Sequence, residues 1–469
     1  MSETELSPAE IDATQPDSQL DGDDRLKPEF VRAVLDAVEV GDNEAARALV
    51  EPLHPADIAD LFELVPSEER PALVAAIKDL VDADVFAEMN DYVREDLIDA
   101  LEPHEVADIA SELDTDDAVA IIEDMDADDQ REVLRALDPD DRAAIEEALS
   151  YPEESAGRLM QRELIAVPEH WTVGDVLDYL RGNDNLTTDF WEIFVVDPAH
   201  KPIGSCQLSW IMRTPRSVTV SDVMKREQTL IPVDMDQEEV ALRFQKYALI
   251  SAAVVDTAGR LVGMITVDDI VHIISQEAGE DILRLSGAGE GDINEPILLT
   301  VRTRIFWLAI NLGTAVLASS VVGLFQGEIA KFALLAVLMP IVSGMGGNAG
   351  TQTLAVVVRA LATNQLTSSN TTRMILREFR IATANGAGLG LLVGTGTYVI
   401  FGNPILALVI AMAMVINNLI AGLSGVLIPV SLERAGVDPA VSSAVFVTTM
   451  TDCMGFFSFL GLAGLFGLA

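Results

Sequence analysis

The sequence holds 469 residues with 75 acids against 30 lysines and arginines, for a net charge of −45. That balance excludes nucleic acid as an electrostatic partner. Among the enzyme classes, no Walker loop and no nucleophile–base set appears, so no enzyme is expected. The charge is uneven: residues 1–300 carry 70 of the acids and 22 of the bases, a balance of −48, whereas residues 301–469 carry +3. The first part reads as soluble and the second as a membrane domain.

Residues 1–25 are acidic and polar, lack the apolar core of a signal peptide, and are expected to form a disordered tail. A large soluble region ahead of the first span then stays in the cytoplasm. Lysine is confined to Lys27, Lys78, Lys201, Lys225, Lys246 and Lys331. An acid-rich, lysine-poor surface suits a salt-rich cytoplasm that screens self-repulsion, so a halophilic source is expected. Cys206 and Cys453 form no CxxC pair and read as isolated buried thiols. The five histidines show no zinc spacing.

Residues 26–150 are helical by pattern. Two phrases echo each other, "LHPADIADLFELVPSEERPALV" and "LEPHEVADIASELDTDDAVAII", each placing proline ahead of a short amphipathic helix. The spacing predicts stacked helical hairpins, each too small to bury its apolar face alone.

A second repeat fills residues 151–274, with approximate copies at 157–216 and 217–276. Each copy reads strand, helix, strand, turn, strand, helix. The clearer copy is "ISAAVVDTAGRLVGMITVDDI", in which Thr266 fits a helix N-cap. This doubled unit resembles a pair of cystathionine-β-synthase (CBS) domains, many of which bind adenine nucleotides. The resemblance implies a nucleotide site, possible for ATP, around Thr266, Asp268 and Asp269, where the T-x-x-D element is matched. The first copy reads "GSCQLSW" and lacks that element.

Residues 275–300 connect to the membrane. Ser275 to Leu285 is helix-compatible and groups Glu277, Glu280 and Asp281, which repel unless cations relieve them. Residues 301–469 then hold five spans, at about 305–325, 332–362, 381–401, 404–430 and 439–468, each long enough to cross. Arginines in alternate loops predict a cytoplasmic N-terminus and, with an odd count, a C-terminus outside. In the third span Gly386, Gly390 and Gly394 recur every four residues, a close-packing pattern. In the fourth, Asn417 and Asn418 predict bonding between helices.

Asp452 is the acid expected in the middle of a span. A carboxylate there costs about 3 kcal/mol or more unless it lines a water path. The segment "SGMGGNAGTQTL" (343–354) is likewise ill suited to lipid. Its glycines permit an unwound or thinned stretch whose carbonyls, with Asn348 and Thr351, can face water along a cavity. Asp452, with Thr448 one turn earlier, would supply negative charge. A two-fold dimer would bring two carboxylates to one axis, a set that suits hydrated Mg²⁺.

The order of parts, with "YPEESAGRLM", "EAGEDI", "GGNAGTQ", "RALAT" and "TDCMGFFSFLGLA", is similar to the MgtE family of magnesium channels and transporters. The resemblance implies a multidomain membrane protein: an all-α N domain, an α+β tandem CBS pair, a connecting plug helix and a five-helix transmembrane domain. It implies a homodimer in the cell membrane with a pore between subunits, the pore acid at Asp452 and the span-two asparagine at Asn348; Thr351, Gly346, Gly347 and Thr448 are expected beside them along the ion path. It also implies regulatory Mg²⁺ at Asp116, Asp269, Glu277, Glu280 and Asp281, whose binding closes the pore. His272 stands where some members carry an acid, and Thr448 and Ala444 differ from family residues near the pore acid. The alternatives are transport of Co²⁺, Mn²⁺ or Zn²⁺, against which stands the lack of His and Cys ligands in the spans, or a membrane-anchored Mg²⁺ or nucleotide sensor that does not transport.

Overall fold

A computed structural model describes residues 19–468 apart from 100, 124, 184–185, 187–189, 288–292 and 442. Most of the acidic tail expected over 1–25 lies outside the described residues. Its last seven residues are ordered: Leu20 bridges to Leu26, and buried Gln19 donates its Nε2–H to the Leu49 carbonyl at 3.2 Å. The chain divides at Ser275/Gln276 into two compact units, each described by itself.

The first unit opens with short helices. Pro55–Leu64, Pro103–Glu112 and Pro139–Leu149 each start on proline, which is pre-set for the first helical turn. Glu102 and Glu105 close a capping box on the second of them. The apolar faces meet in one core around Phe30, Leu61, Phe62, Leu73, Ile77, Ile121 and Ile122, all essentially buried. Each such side chain contributes about 1.5–3 kcal/mol, so the hairpins stack rather than stand alone. Within this domain α1 (Thr115–Glu123) begins at "TDD".

The CBS pair holds two sheets of one design. β1 (Ala166–Pro168) runs parallel to β2 (Glu192–Val196), which runs antiparallel to β3 (Pro202–Gln207). β4 (Leu230–Pro232), β5 (Ser251–Val255) and β6 (Leu261–Thr266) repeat that order. α2 (Val173–Gly182) and α3 (Gln237–Tyr247) follow the first strand of each copy, and α4 (Val267–Ser286) leaves β6 and runs across the unit boundary.

The two copies exchange their lead segments. Gln161, ahead of β1 in the first copy, pairs with Met264 on β6, while Lys225, ahead of β4 in the second, pairs with Ser205 on β3. Gly204 and Gly263 make room for the exchange. A Cβ at Gly204 would meet Lys225 O at 2.9 Å, and one at Gly263 would meet Gln161 O at 2.9 Å. The repeat spacing was legible; the crossing was not, because it depends on contacts between copies.

Among the described residues the second unit carries five helices long and apolar enough to cross a membrane: α5 (Ile297–Gly323), α6 (Leu334–Ala362), α7 (Thr371–Phe401), α8 (Pro404–Arg434) and α9 (Ser443–Leu465). α7 starts ten residues before its expected 381. Gly386, Gly390 and Gly394 press α7 on α8: added Cβ atoms would lie 2.9 Å from Val415 Cα, 2.8 Å from Ala411 O and 3.0 Å from Ala407 O. Small residues let backbones approach where lipid gives no hydrophobic drive between helices.

Candidate functional site

The membrane carboxylate sits where α6 and α9 meet. Asp452 on α9 is half-buried, and Ser343 on α6 donates its hydroxyl to Asp452 Oδ1. Gly347 and Thr351 follow Ser343 at spacings of four and eight residues, so they share its face of α6, while Asn348, at a spacing of five, lies on the flank beyond Thr351. Asn348 and Thr351 are exposed on the isolated chain, and Gly347 has nothing within 4 Å of its Cβ position. Thr351 Oγ1 turns back to the carbonyls of Gly347 and Asn348, at 3.2 and 3.1 Å. Thr448, also exposed, lies one turn before Asp452. The two polar faces are joined at the Ser343–Asp452 contact.

The unwound stretch expected at the glycines is not there: α6 is helical throughout. Gly346 and Gly350 serve packing instead. Gly346 is buried against Asn417, whose Nδ2–H donates to the Val342 carbonyl at 2.8 Å, and any side chain at 346 would collide with that amide. A Cβ at Gly350 would lie 2.5 Å from Val447 Cγ1. Gly346 therefore faces the neighbouring helix rather than the polar stripe. Asn417 supplies the bond between helices that its position suggested, and packing of this kind outweighs the roughly 1 kcal/mol helix penalty per glycine.

The first unit gathers acids at the start of α1. Asp116 Oδ1 is buried and has no hydrogen-bond partner. Burial and the Asp269 carboxylate, then Asp117 and Asp114, hold Asp116 well above the usual carboxylate range. Asp117 is pushed up to about 6 by burial and by Asp269 and Asp114. Asp269 is raised chiefly by burial; Thr266 opposes this by donating its hydroxyl to Asp269 Oδ2 at 2.7 Å. Asp268 is exposed. The start of α1 is tied down by Glu163, whose carboxylate accepts from the Thr115 hydroxyl at 2.7 Å and the Thr115 N–H at 3.3 Å. Among the described residues no three acidic, imidazole or thiol groups converge as a ready chelate. A buried, unpaired carboxylate oxygen beside a second carboxylate nonetheless fits a hard cation that keeps most of its waters.

The second unit holds the other three expected acids on α4. Glu280 is ion-paired with Arg284 one turn later, and Arg284 Nη1 also reaches Asp438 Oδ2 at 2.7 Å, in the loop between α8 and α9. Asp281 is pushed up to about 6 by burial and by Asp438 and Glu277. Glu280 is thus engaged by an arginine, while Asp281 faces carboxylates.

Sequence inspection missed Ser343, Asp117, Asp438, Arg284 and Glu378. Ser343 stood at the edge of the quoted stretch and Asp117 beside a chosen acid, so both were within reach. Asp438 and Arg284 gain meaning only from a contact spanning 154 residues. Glu378 was set outside the third span; it lies inside α7 and is buried. Cys206 is a free, buried thiol as expected, whereas Cys453 is only half-buried.

Comparisons with known proteins agree with this arrangement. Residues 339–462 match the family MgtE, described as a divalent cation transporter, residues 53–154 match the MgtE intracellular N domain, and residues 220–276 match the CBS domain. The chain is 31% identical over 447 residues to the magnesium transporter MgtE of Thermus thermophilus, spanning 94% of this chain and 99% of that one. It is 30% identical over 319 residues to the magnesium transporter MgtE of Bacillus subtilis, spanning 68% and 71%. A crystal structure of the cytosolic domain of the Mg²⁺ channel MgtE in complex with ATP aligns at 30% identity, covering 52% of this chain and 99% of that one with a TM-score of 0.47. With an N-terminal helical domain, a CBS pair and five membrane-crossing helices, the chain belongs to the MgtE family of divalent cation transporters.

Proposed function

We propose that this chain imports Mg²⁺ across the cell membrane through a path lined by Ser343, Gly347, Asn348, Thr351, Thr448 and Asp452. One observation carries the proposal: the Asp452 carboxylate, oriented by Ser343, continues a polar stripe exposed on the isolated chain inside membrane-crossing helices. Hydrocarbon does not tolerate such a stripe, so a second copy covers it and the chain works as a homodimer around a water-filled path. Two carboxylates ringed by hydroxyl and amide groups suit a hydrated hard cation, since Mg²⁺ dehydrates reluctantly.

Gating follows from the cytoplasmic acids. Asp116 and Asp269 in the first unit, and Glu277 and Asp281 in the second, repel their neighbours when unscreened. Binding of cytosolic Mg²⁺ at these carboxylates favours the closed arrangement to the extent that it binds that arrangement more tightly. When cytosolic Mg²⁺ falls, like-charge repulsion drives the acids apart and releases α4. In a halophilic cytoplasm monovalent salt shares this screening. A nucleotide such as ATP at the CBS pair would use exposed Asp268 as an acceptor for ribose hydroxyls, with Thr266 holding Asp269 in place. Arginines in alternate loops support a cytoplasmic N-terminus and CBS pair and, with an odd number of spans, a C-terminus outside.

The test is ion flux through the purified chain in liposomes, with Mg²⁺ varied on the cytoplasmic side. Mg²⁺ uptake that falls as cytoplasmic-side Mg²⁺ rises supports the assignment. Absence of flux, or Co²⁺ flux with no Mg²⁺ flux, contradicts it.

A further inference from the structure

A second polar cleft lies in the membrane domain, away from the Asp452 stripe. It has a volume of about 190 Å³ and lies between α6, α7 and α8. Its lining includes Gln352, Thr353, Arg377, Glu378, Asn385 and Asn418. Glu378 is 5% exposed, and its two oxygens have only long contacts: Thr353 Oγ1 donates to Oε2 at 3.3 Å, and Arg377 Nη1 reaches Oε1 at 3.3 Å. Asn418 is 1% exposed; its Nδ2–H donates to the Met414 carbonyl at 2.9 Å, while its Oδ1 has no hydrogen-bond partner.

This combination is costly as plain structure. A buried carboxylate between packed helices needs strong partners, and an orphan amide oxygen adds to the deficit. Ion pairing with Arg377 is a weak remedy, because that side chain is exposed at the mouth of the cleft and its contact is long. A structural role alone would be met by a closer partner or an apolar residue. Gly422 keeps α8 tight on α7 at this level, with a Cβ there set 2.9 Å from Ala382 Cβ, so the cleft is a built feature between well-packed helices.

We infer that this cleft is a binding site for a monovalent alkali cation held by Glu378. Thr353, Asn418, Gln352 and Asn385 supply neutral side-chain oxygens, the ligand type that hard cations prefer. Charge selects the valence. One carboxylate balances one positive charge, whereas a divalent ion would leave excess positive charge next to Arg377. Arg377 competes for the same carboxylate and swings to solvent when an ion enters. Since the ligands come from three helices, occupancy favours the bundle arrangement in which those helices are together.

The test is equilibrium binding of ²²Na⁺ to the full-length chain at fixed ionic strength in choline chloride. Wild type is expected to show a saturable site of one ion per chain. Glu378→Gln should lose it, and Asp452→Asn, in the other polar region, should keep it. Thr353→Val, which removes one ligand, should weaken binding by about tenfold; this variant serves if Glu378→Gln does not fold. No saturable binding by wild type, full binding by folded Glu378→Gln, or unchanged affinity in Thr353→Val would each overturn the site. Displacement of ²²Na⁺ by Mg²⁺ at lower concentration than by Na⁺ would overturn the monovalent assignment. Because the readout is Na⁺ binding, these outcomes are independent of Mg²⁺ flux.

Discussion

Ser343 and Asp452 lie 109 residues apart in the sequence, yet the serine hydroxyl is a hydrogen-bond donor to the aspartate carboxylate between α6 and α9. The bond fixes the one carboxylate of the polar stripe in place. Ser343→Ala should therefore leave folding intact and slow Mg²⁺ uptake by about tenfold, the equivalent of one hydrogen bond to a charged group. Initial uptake rates in liposomes check this, and wild-type rates would contradict it.

The glycines of the same stretch have opposite surroundings. Gly346 is packed against Asn417, whereas Gly344 has nothing within 4 Å of its Cβ position. Gly346→Ala should destabilise by about 1–3 kcal/mol through overpacking. Gly344→Ala should be neutral or stabilise by up to about 1 kcal/mol through helix propensity. Thermal unfolding in detergent separates the two, and equal effects would mean that the glycines do not act through packing.

Asp116 has a buried, unpaired oxygen beside Asp269. Asp116→Asn removes a buried charge and should raise Mg²⁺-free stability of the cytoplasmic unit by about 1–3 kcal/mol. It should also shrink the further stabilisation that Mg²⁺ gives wild type. Unfolding of the full chain with and without chelator measures both. A variant that gains as much from Mg²⁺ as wild type does would remove Asp116 from the regulatory set.

Arg284 bridges Glu280 on its own helix and Asp438 in the loop between α8 and α9. These side chains are about one-third exposed, so a double-mutant cycle of Arg284→Ala with Asp438→Ala should return a coupling of about 1 kcal/mol. Loss of the bridge should also loosen α4 and leave more Mg²⁺ flux at high cytoplasmic-side Mg²⁺ than in wild type. Additive stabilities with unchanged inhibition would show that the bridge plays no part in closure.

Local features were readable in the sequence because their causes are local. The prolines opening Pro55–Leu64 and Pro103–Glu112, the D-x-x-G turn before β6, and the i, i+3 pairing of Thr266 with Asp269 each involve neighbours in the chain. Hydropathy alone located the five long apolar helices, while the polar first ten residues of α7, which include buried Glu378, are helical without being apolar and so lay ahead of the expected span. What escaped reading depends on distant partners. Four glycines within twelve residues suggest a broken helix until Asn417 and Val447 are seen filling the space against Gly346 and Gly350. The exchange of lead segments in the CBS pair likewise needs Gly204 and Gly263 to meet backbone from the opposite copy.

The central claim is that Asp452 holds the ion in its path, and uptake through purified protein measures that most directly. Liposomes carrying wild type or Asp452→Asn are matched for protein content and loaded with a Mg²⁺-sensitive dye. The uptake rate of Asp452→Asn should fall at least tenfold while its thermal unfolding matches wild type. Wild-type Mg²⁺ uptake by folded Asp452→Asn would contradict the account.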